Sequence, residues 1–318
     1  MVELAVNDYI VWQERAPPAH IFAIEYNNRY IGGPERATRM RIMNVQYNLK
    51  TLGSRTAQLV AELNERRQPI FSIQDATEIT GLSAKSARSL LASAEARGLV
   101  TRLKPGLFNL VPFELGHDTE HVTDPHLIAR TLVGDAPYFI SHGSAMELHR
   151  MVTQPQLWTT VSCTKRVRIT NIRGYEFRFI RVADEHLFGI GDHWITSDQA
   201  VKVSDPERTI IDCLSLPQYV GGITEVAKGL WMKRDSLDAA RLIDYALRLD
   251  VGAVIRRLGY LLELYDIVDR HRLEALRIRL TNTYQRLDPM LPDEGPMLAR
   301  WRLRLNLDRD ELASVRSA

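Results

Sequence analysis

The sequence predicts an α+β protein, in which an N-terminal winged helix-turn-helix precedes a larger mixed α/β domain with a strand-rich first half and a helical C-terminal half. Three observations lead to this fold class. Apolar residues recur at helical spacing from Ser54 onward, and a Pro-Gly turn then separates two short β-forming runs between residues 99 and 111. Further β-forming runs lie between residues 157 and 182, and several helical stretches follow them.

The chain length predicts more than one domain. At 318 residues the chain exceeds the usual size of one hydrophobic core, so we expect two domains, with one large domain as the alternative. Residues 1–50 are predicted to be an N-terminal extension, because the polar stretch Tyr26–Arg41 shows no sustained helical or strand period; a translation start at Met43 is the alternative. The winged helix-turn-helix is expected at 51–114 and the α/β domain at 123–318.

Composition restricts the class of protein but not its partner. Hydrophobic residues make up 45% and charged residues 25% of the chain, the balance of an ordinary globular protein. A net charge of +2 gives no strong overall field, so attraction to nucleic acid would require locally clustered charge. Cys163 and Cys213 form no CxxC pair, and no apolar run reaches the ~18 residues needed to cross a bilayer. We therefore expect a cytoplasmic protein without a membrane segment, a metal or a cofactor.

Three helices are predicted between Ser54 and Gly98. The first buries a stripe formed by Thr56, Leu59, Val60 and Leu63. Ser72 and Asp75 have capping-box spacing and begin the second helix, which ends in a turn at Thr80, Gly81 and Leu82. Ser83 caps the third helix, whose buried side consists of Ala87, Leu90, Leu91 and Ala94.

A basic hairpin is predicted directly after the third helix. Leu99–Leu103 and Leu107–Val111 are the two strands of this candidate wing, and Lys104, Pro105 and Gly106 form the turn. The third helix suits the major groove of DNA, about 12 Å wide, because its outward side chains are short or basic. The predicted DNA-binding residues are Ser83, Lys85, Ser86, Arg88 and Ser89 in the helix, and Arg102 and Lys104 in the hairpin.

Among these residues, Lys85 and Arg88 are the foremost candidates, since lysine and arginine contact phosphates and arginine also pairs with guanine. If about four phosphates are neutralised, log affinity should fall with log salt at a slope of roughly −3.6. The alternative is a three-helix unit whose charged face is only solvated and whose hairpin contacts proteins.

The second domain is predicted to begin with a helix at Asp124-Pro125. Strands are expected at Leu157–Cys163, Val167–Thr170 and Tyr175–Val182, with a turn at Gly174 between the last two. A helix capped by Ser204 and Glu207 is expected to have Pro206 in its first turn, and a later helix is expected at Leu273–Tyr284. Alternate strand residues share one face, so the basic residues of this region are a second candidate surface, with a solvated face as the alternative. These residues are Lys165, Arg166, Arg168, Arg173, Arg178 and Arg181.

The chain resembles the AbiEi-type antitoxin and transcriptional regulator family of type IV toxin-antitoxin and abortive-infection systems. The resemblance rests on three segments, Ala96–Val100 with Gly106–Phe108, Tyr138–His149, and Val203–Leu214 with Gly221-Gly222. It implies a repressor that binds inverted repeats of double-stranded DNA in its own promoter. It also implies that the second domain counters a nucleotidyltransferase-like toxin, without a need for stable contact. Whether the protein acts as a monomer or a homodimer stays open.

An enzyme is the competing interpretation. His142, Glu147 and His149, or Asp192 and His193, are the best metal-ligand sets that the sequence offers, and neither has a convincing spacing. His142 and His149 are seven residues apart, but His142 is expected to precede the helix. A nuclease would need paired carboxylates and a nearby lysine, and the Asp205, Glu207 and Arg208 group lacks the lysine. We therefore predict no catalytic residue and expect a protein that is not an enzyme.

Overall fold

The first segment combines three helices with a small antiparallel sheet. The structure is a computed structural model that describes residues 52–152 and 154–317, so the predicted extension at 1–50 lies outside the described residues. The elements are α1 Ser54–Glu65, β1 Ile70–Ser72, α2 Ile73–Thr80, α3 Ala84–Ala96, β2 Val100–Lys104 and β3 Leu107–Leu110. The strand order is β1-β3-β2, with both pairs antiparallel. The three predicted helices and the hairpin are confirmed, whereas β1 was not predicted.

Short-range signals set the helix boundaries of this segment. Ser72 and Asp75 form the predicted capping box at the start of α2, where the Ser72 hydroxyl accepts the Asp75 N–H at 3.2 Å. Gly81 ends α2 in the left-handed conformation at φ 67°, which a glycine adopts at no steric cost. Ser83 caps α3, and Gly98 follows its end at φ 67°.

The three helices and the sheet share one apolar cluster. The predicted stripe of α1 is buried, as are Ala87, Leu91 and Ala94 of α3, while Leu90 is half-buried rather than fully inward. Leu59, Leu63, Phe71, Leu91 and Phe108 are the large side chains at the centre of this cluster. Burial of one face of α3 leaves its other face available to solvent.

The second segment contains a six-stranded mixed sheet flanked by helices. Its elements are α4 Pro125–Val133, β4 Tyr138–Ile140, α5 His142–Leu148, β5 Trp158–Cys163, β6 Thr170–Ile172, β7 Tyr175–Arg181, β8 Ile190–Trp194 and β9 Ala200–Ser204. The strand order is β6-β7-β5-β4-β9-β8, in which β5 pairs with β7 and β4 pairs with β9 in parallel. The predicted start of α4 at Asp124-Pro125 is confirmed, because Asp124 caps the helix and Pro125 is its first residue.

One predicted strand of this sheet is misplaced. Residues 167–169 are not in a strand. Strand β6 begins at Thr170 and includes Asn171 and Ile172, which lie outside the predicted strand. Pairing with β7 sets this register: Ile172 lies opposite Tyr175 across a tight turn of Arg173 and Gly174. The turn position is local and was predicted, whereas the strand bounds depend on the partner strand.

The C-terminal part is mostly helical, as predicted. It comprises α6 Pro206–Ser215, α7 Ile223–Lys233, α8 Ala239–Leu249, α9 Gly252–Leu264, α10 Arg270–Arg277 and α11 Arg309–Ser314, together with the short strands β10 Gln285–Arg286, β11 Met297–Leu298 and β12 Leu303–Arg304. The short strands form a sheet of order β10-β12-β11. The helices pack around an apolar cluster that includes Leu214, Leu230, Leu258 and Trp301.

Two predictions in this part are wrong in detail. Ser204 is the last residue of β9, and Asp205 caps α6 by accepting the Arg208 N–H at 2.7 Å, because Pro206 occupies the first helical position. The helix expected at Leu273–Tyr284 is α10, which begins earlier and ends at Arg277.

The mixed α+β class is confirmed by these helices and sheets. The boundaries predicted at 51–114 and 123–318 stay predictions, since Ile70, Leu103 and Leu107 of the first segment belong to the apolar cluster of the six-stranded sheet. None of the helices in the described ranges combines the length and apolar character that crossing a membrane requires.

Candidate nucleic-acid interface

Helix α3 presents a polar and basic face to solvent. Lys85, Ser86, Arg88 and Ser89 are all exposed, and we call these four residues the α3 face. Lys85 and Arg88 are three positions apart, so their side chains lie on the same side of the helix, away from the buried Ala87 and Leu91. Within the described ranges, neither cation has an ion pair or a side-chain hydrogen bond. Both charges are therefore available to a ligand.

The start of α3 favours negative charge. The Ser83 hydroxyl accepts the Ser86 N–H at 3.3 Å and also donates to the Ser86 hydroxyl at 3.1 Å. The first turn contains no acidic residue that would offset the positive end of the helix dipole. The hydroxyl of Ser83, which the sequence predicts to contact DNA, therefore caps the helix. Lys85 lies in the first turn, next to this cap.

The β2–β3 hairpin contributes one free cation and one paired cation. Arg102 and Lys104 are both exposed on β2, and a register shift in the pairing with β3 lies between them. Arg102 Nη2 lies 3.0 Å from Glu95 Oε2 at the end of α3, and its guanidinium carbon lies 5.6 Å from the centre of the Phe108 ring. Lys104 has no ion pair among the residues that the structure describes. Sequence reasoning identified Glu95 as the one acidic residue among the basic residues from Lys85 to Lys104, but not that it pairs with Arg102.

The predicted basic strand face is not formed. Lys165, Arg166 and Arg168 lie in the loop between β5 and β6, and Arg173 lies in the β6–β7 turn. Arg178 stacks on Trp158 at 3.5 Å from the ring centre. Its Nε also donates to Glu176 at 2.6 Å. Since Arg178 and Arg181 are an odd number of residues apart in β7, they point to opposite sides of the sheet.

Part of this basic group still meets at one place. Lys165, Arg166 and Arg181 line an open cavity of about 300 Å³ at the ends of β5 and β7, together with Val167 and Phe179. The six basic residues therefore divide among this cavity, the β6–β7 turn and the Trp158 stack, because a loop and not a strand carries half of them.

The first candidate metal-ligand set is dispersed. His142 is the first residue of α5, where sequence reasoning had it precede the helix, and it is fully buried. Its Nδ1 lies 2.9 Å from the Ser141 hydroxyl. Burial and the charge of Arg208 lower the pKa of His142 to about 3. His149 instead donates from Nε2 to the Ser204 carbonyl at 2.6 Å. Glu147 accepts the Gln156 N–H at 3.3 Å, so each of the three groups has a separate partner.

The other proposed catalytic groups are also bound to neighbours. In the second candidate set, Asp192 forms an ion pair with Lys202 at 2.8 Å. Glu207 accepts the Asp238 N–H at 2.7 Å instead of capping α6 as expected, and Arg208 donates to Asp212 at 2.8 Å. No group of three or more His, Cys, Asp or Glu side chains suited to a metal ion occurs within 52–152 and 154–317. The expectations of no catalytic residue and no metal stay predictions.

Comparison with known proteins points to one family and one fold. The chain is similar to the crystal structure of the RV2827C protein from Mycobacterium tuberculosis, with 15% sequence identity, a TM-score of 0.60, and coverage of 84% of this chain and 96% of that chain. At this identity the similarity concerns the fold alone. No curated protein matches the chain. Residues 58–111, which carry the α3 face and the hairpin, match the family described as transcriptional regulator, AbiEi antitoxin. This match confirms the predicted resemblance in these residues. The other two segments on which the resemblance rests, at 138–149 and 203–214, lie outside the match.

Proposed function

We propose that the protein is a DNA-binding transcriptional regulator, in which α1 to β3 form a winged helix-turn-helix with α3 as the recognition helix and the β2–β3 hairpin as the wing. The observation that carries this proposal is the pair Lys85 and Arg88, both exposed and without partners in the described ranges on the solvent side of a helix whose other side is packed. Unpaired cations on a helix without bulky neighbours are what a major groove accepts.

Each residue of the α3 face has a role that its chemistry supports. Arg88 can donate two parallel hydrogen bonds to O6 and N7 of a guanine or to a phosphate. Lys85, near the positive end of the helix dipole, suits a phosphate. Ser86 and Ser89 are small enough to let the helix backbone approach the bases. In the hairpin, Lys104 is the free cation for a flanking phosphate or an adjacent minor groove.

The family match at residues 58–111 supports a finer proposal. We infer a repressor that binds inverted repeats in its own promoter in the cytoplasm, with one winged helix for each half-site. We also infer an antitoxin that counters a nucleotidyltransferase-like toxin through the segment after residue 123. A catalytic role is not part of this proposal, because the candidate catalytic groups have structural partners.

The proposal is tested by replacing both cations of the α3 face. Lys85→Ala with Arg88→Ala should abolish retention of a promoter fragment in a mobility-shift assay, because the charge and the base contact are lost together. Surface replacements of this kind change stability by about 0.5 kcal/mol or less, so the melting temperature should stay near that of the unchanged protein. Arg270→Ala with Arg272→Ala, an exposed pair on α10, is the matched control with equal charge loss.

Two outcomes separate the alternatives. Unaltered retention in the Lys85 and Arg88 double variant would refute α3 as the recognition helix. If the unchanged protein binds no promoter DNA, the segment is a protein-interaction module. The antitoxin part is tested by co-expression with a nucleotidyltransferase-like protein encoded beside this gene. The double variant should lose promoter binding yet still relieve growth arrest, and continued arrest with the unchanged protein would reject antitoxin activity.

A further inference from the structure

The outer edge of strand β2 is covered by residues from the second segment. β2 is an edge strand, since the sheet order is β1-β3-β2. The His121 N–H, in the connection after the hairpin, donates to the Thr101 hydroxyl at 2.8 Å. Arg173 in the β6–β7 turn donates from Nε to the Arg102 carbonyl at 2.9 Å. The hairpin is therefore hydrogen-bonded to the connection after it and to the β6–β7 turn, both of which lie outside the helix-turn-helix.

Apolar contacts hold the hairpin to the same neighbour. Leu103 of β2 and Leu107 of β3 are buried and belong to the apolar cluster of the six-stranded sheet, not to that of the three helices. The connection after the hairpin is also close to the end of α3, because a Cβ at Gly98 would lie 2.8 Å from Thr119. The hairpin thus packs against the second segment and does not stand free in solvent.

Arg102 links this attachment to the α3 face. Its carbonyl accepts the Arg173 hydrogen bond, while its side chain pairs with Glu95 at the end of α3 and lies over Phe108 of β3. One residue therefore contacts α3, the hairpin and the β6–β7 turn. Lys104 is two residues along the same strand, beyond a register shift between Arg102 and Lys104, so its position relative to α3 depends on this junction.

Arg173 keeps an unfavourable backbone conformation at this junction. Its φ is 50°, in the left-handed region that is sterically unfavourable for a non-glycine residue. The side chain is also within 3.7 Å of Glu120, which lies next to His121 in the connection. The conformation and the two contacts together direct Nε of Arg173 toward the hairpin.

We propose that Arg173 is a positioning residue for DNA binding, which fixes the hairpin through the Arg102 carbonyl so that Lys104 keeps a fixed position relative to α3. The inference rests on the proposed function and deepens it. Arg173 itself touches no phosphate in this proposal. Loss of the Nε donor releases the hairpin, and the contact of Lys104 with DNA is lost with it.

A double-mutant cycle between Arg173 and Lys104 tests this proposal. Lys104→Ala should make the slope of log affinity against log salt shallower by about 0.9, the value for one phosphate contact. Arg173→Ala should have an equal effect, and the double variant should lose no more than either single variant. Additive losses, or an Arg173→Ala slope equal to that of the unchanged protein, would overturn the proposal. Arg272→Ala on α10 is the charge-matched control and should leave the slope unchanged.

Arg173→Gln separates positioning from direct phosphate contact. Glutamine Nε2 is bonded to Cδ as arginine Nε is, so this variant keeps a donor at the bonding position and removes the charge. If Arg173 acts by positioning, Arg173→Gln should have the same slope as the unchanged protein. This variant also tests the proposal if Arg173→Ala does not fold. A slope as shallow as that of Arg173→Ala would mean that the charge itself contacts DNA, against the proposal.

Hydrogen exchange in the protein without DNA gives an independent readout. Arg173→Ala should speed amide exchange in the part of the hairpin that packs on the second segment, residues 103–107. Exchange at Ala76 and Ile79 of α2 should stay unchanged, because they pack in the cluster of the three helices. Unchanged hairpin exchange would contradict the positioning role. The Lys85 and Arg88 double variant serves as the reference in the same DNA titrations. If the Lys85 and Arg88 double variant binds DNA like the unchanged protein, the proposed function fails. If that variant does not bind, but the effects of the Arg173 and Lys104 variants are additive, only the inference about Arg173 fails.

Discussion

Replacing Glu95 with glutamine tests how much positive charge the interface brings to DNA. Glu95 pairs with Arg102 at 3.0 Å, so this pair adds no net charge beside the duplex. Of the four cations predicted to bind DNA, Lys85, Arg88 and Lys104 have no ion pair among the described residues. Glutamine keeps a side-chain oxygen that can accept the Arg102 hydrogen bond, and it removes the negative charge. The variant should therefore expose the charge of Arg102 without releasing its side chain.

The expected effect follows from counting phosphates. With three free cations, the slope of log affinity against log salt should be about −2.7, at roughly 0.9 for each phosphate. Raising the salt fourfold, from about 50 to 200 mM, should then weaken binding about 40-fold. For Glu95→Gln the slope should steepen to about −3.6 and the loss should reach about 150-fold. The steeper value is the one that the sequence predicts, because sequence reasoning counted Arg102 as free.

Fluorescence anisotropy with a short promoter duplex that carries one half-site measures both slopes. Glu65→Gln, at an exposed position at the end of α1, is the matched control with the same charge change and should keep the slope of the unchanged protein. An exposed ion pair contributes at most about 1 kcal/mol to stability, so Glu95→Gln should stay folded. A Glu95→Gln slope equal to or shallower than that of the unchanged protein would refute the assignment of Arg102 to the DNA side.

Three further predictions concern stability. Leu91→Ala should lower the free energy of unfolding by about 2–5 kcal/mol in urea titrations, because Leu91 is fully buried among the helices; a loss under about 1 kcal/mol would contradict that packing. Arg208→Met should cost about 3–5 kcal/mol, because it leaves the buried Asp212 without its cation. The control Arg241→Met should cost under about 1 kcal/mol, because the Arg241 side chain is half-exposed and its partner Glu207 keeps the Asp238 N–H; equal losses would refute the difference. His142 has a folded-state pKa of about 3, below its usual value, so the unfolded chain takes up the proton first. Stability should therefore fall by about 1.4 kcal/mol per pH unit between roughly pH 5.5 and 4, and His142→Gln should flatten this dependence; an equal dependence in that variant would exclude His142 as its source.

Elements that depend on neighbouring residues could be predicted from the sequence. The capping box of Ser72 and Asp75 and the Asp124-Pro125 start were found because cap and first turn lie within four residues of each other. The exposure of Lys85 and Arg88 was predicted for the same reason, since the helical period alone assigns the buried side of α3.

Elements that depend on distant partners could not be predicted. The end of β9 at Ser204 follows from parallel pairing of Val203 with Ile140, and this pairing moved the cap of α6 to Asp205. Arg256 donates to the carbonyls of Thr281 and Thr283, beyond the end of α10, and no local pattern connects residues more than twenty positions apart.

At the candidate interface, too, features set by neighbouring residues could be predicted, whereas contacts between distant residues could not. Helical periodicity indicates which side chains of α3 face outward, but the pairing of Glu95 with Arg102 requires the fold of the hairpin against the helix. The contact of Arg173 with the Arg102 carbonyl joins residues 71 positions apart, and no spacing rule connects them.

Methylation interference is the most direct test of the claim that α3 reads DNA through Lys85 and Arg88. Guanines of the promoter are methylated at N7, the atom that an arginine contacts in the major groove, and the DNA that still binds is recovered. The unchanged protein should reject DNA methylated at one guanine in each half-site, and Arg88→Ala should no longer distinguish that position while keeping the others. Identical interference patterns for the two proteins would contradict the account.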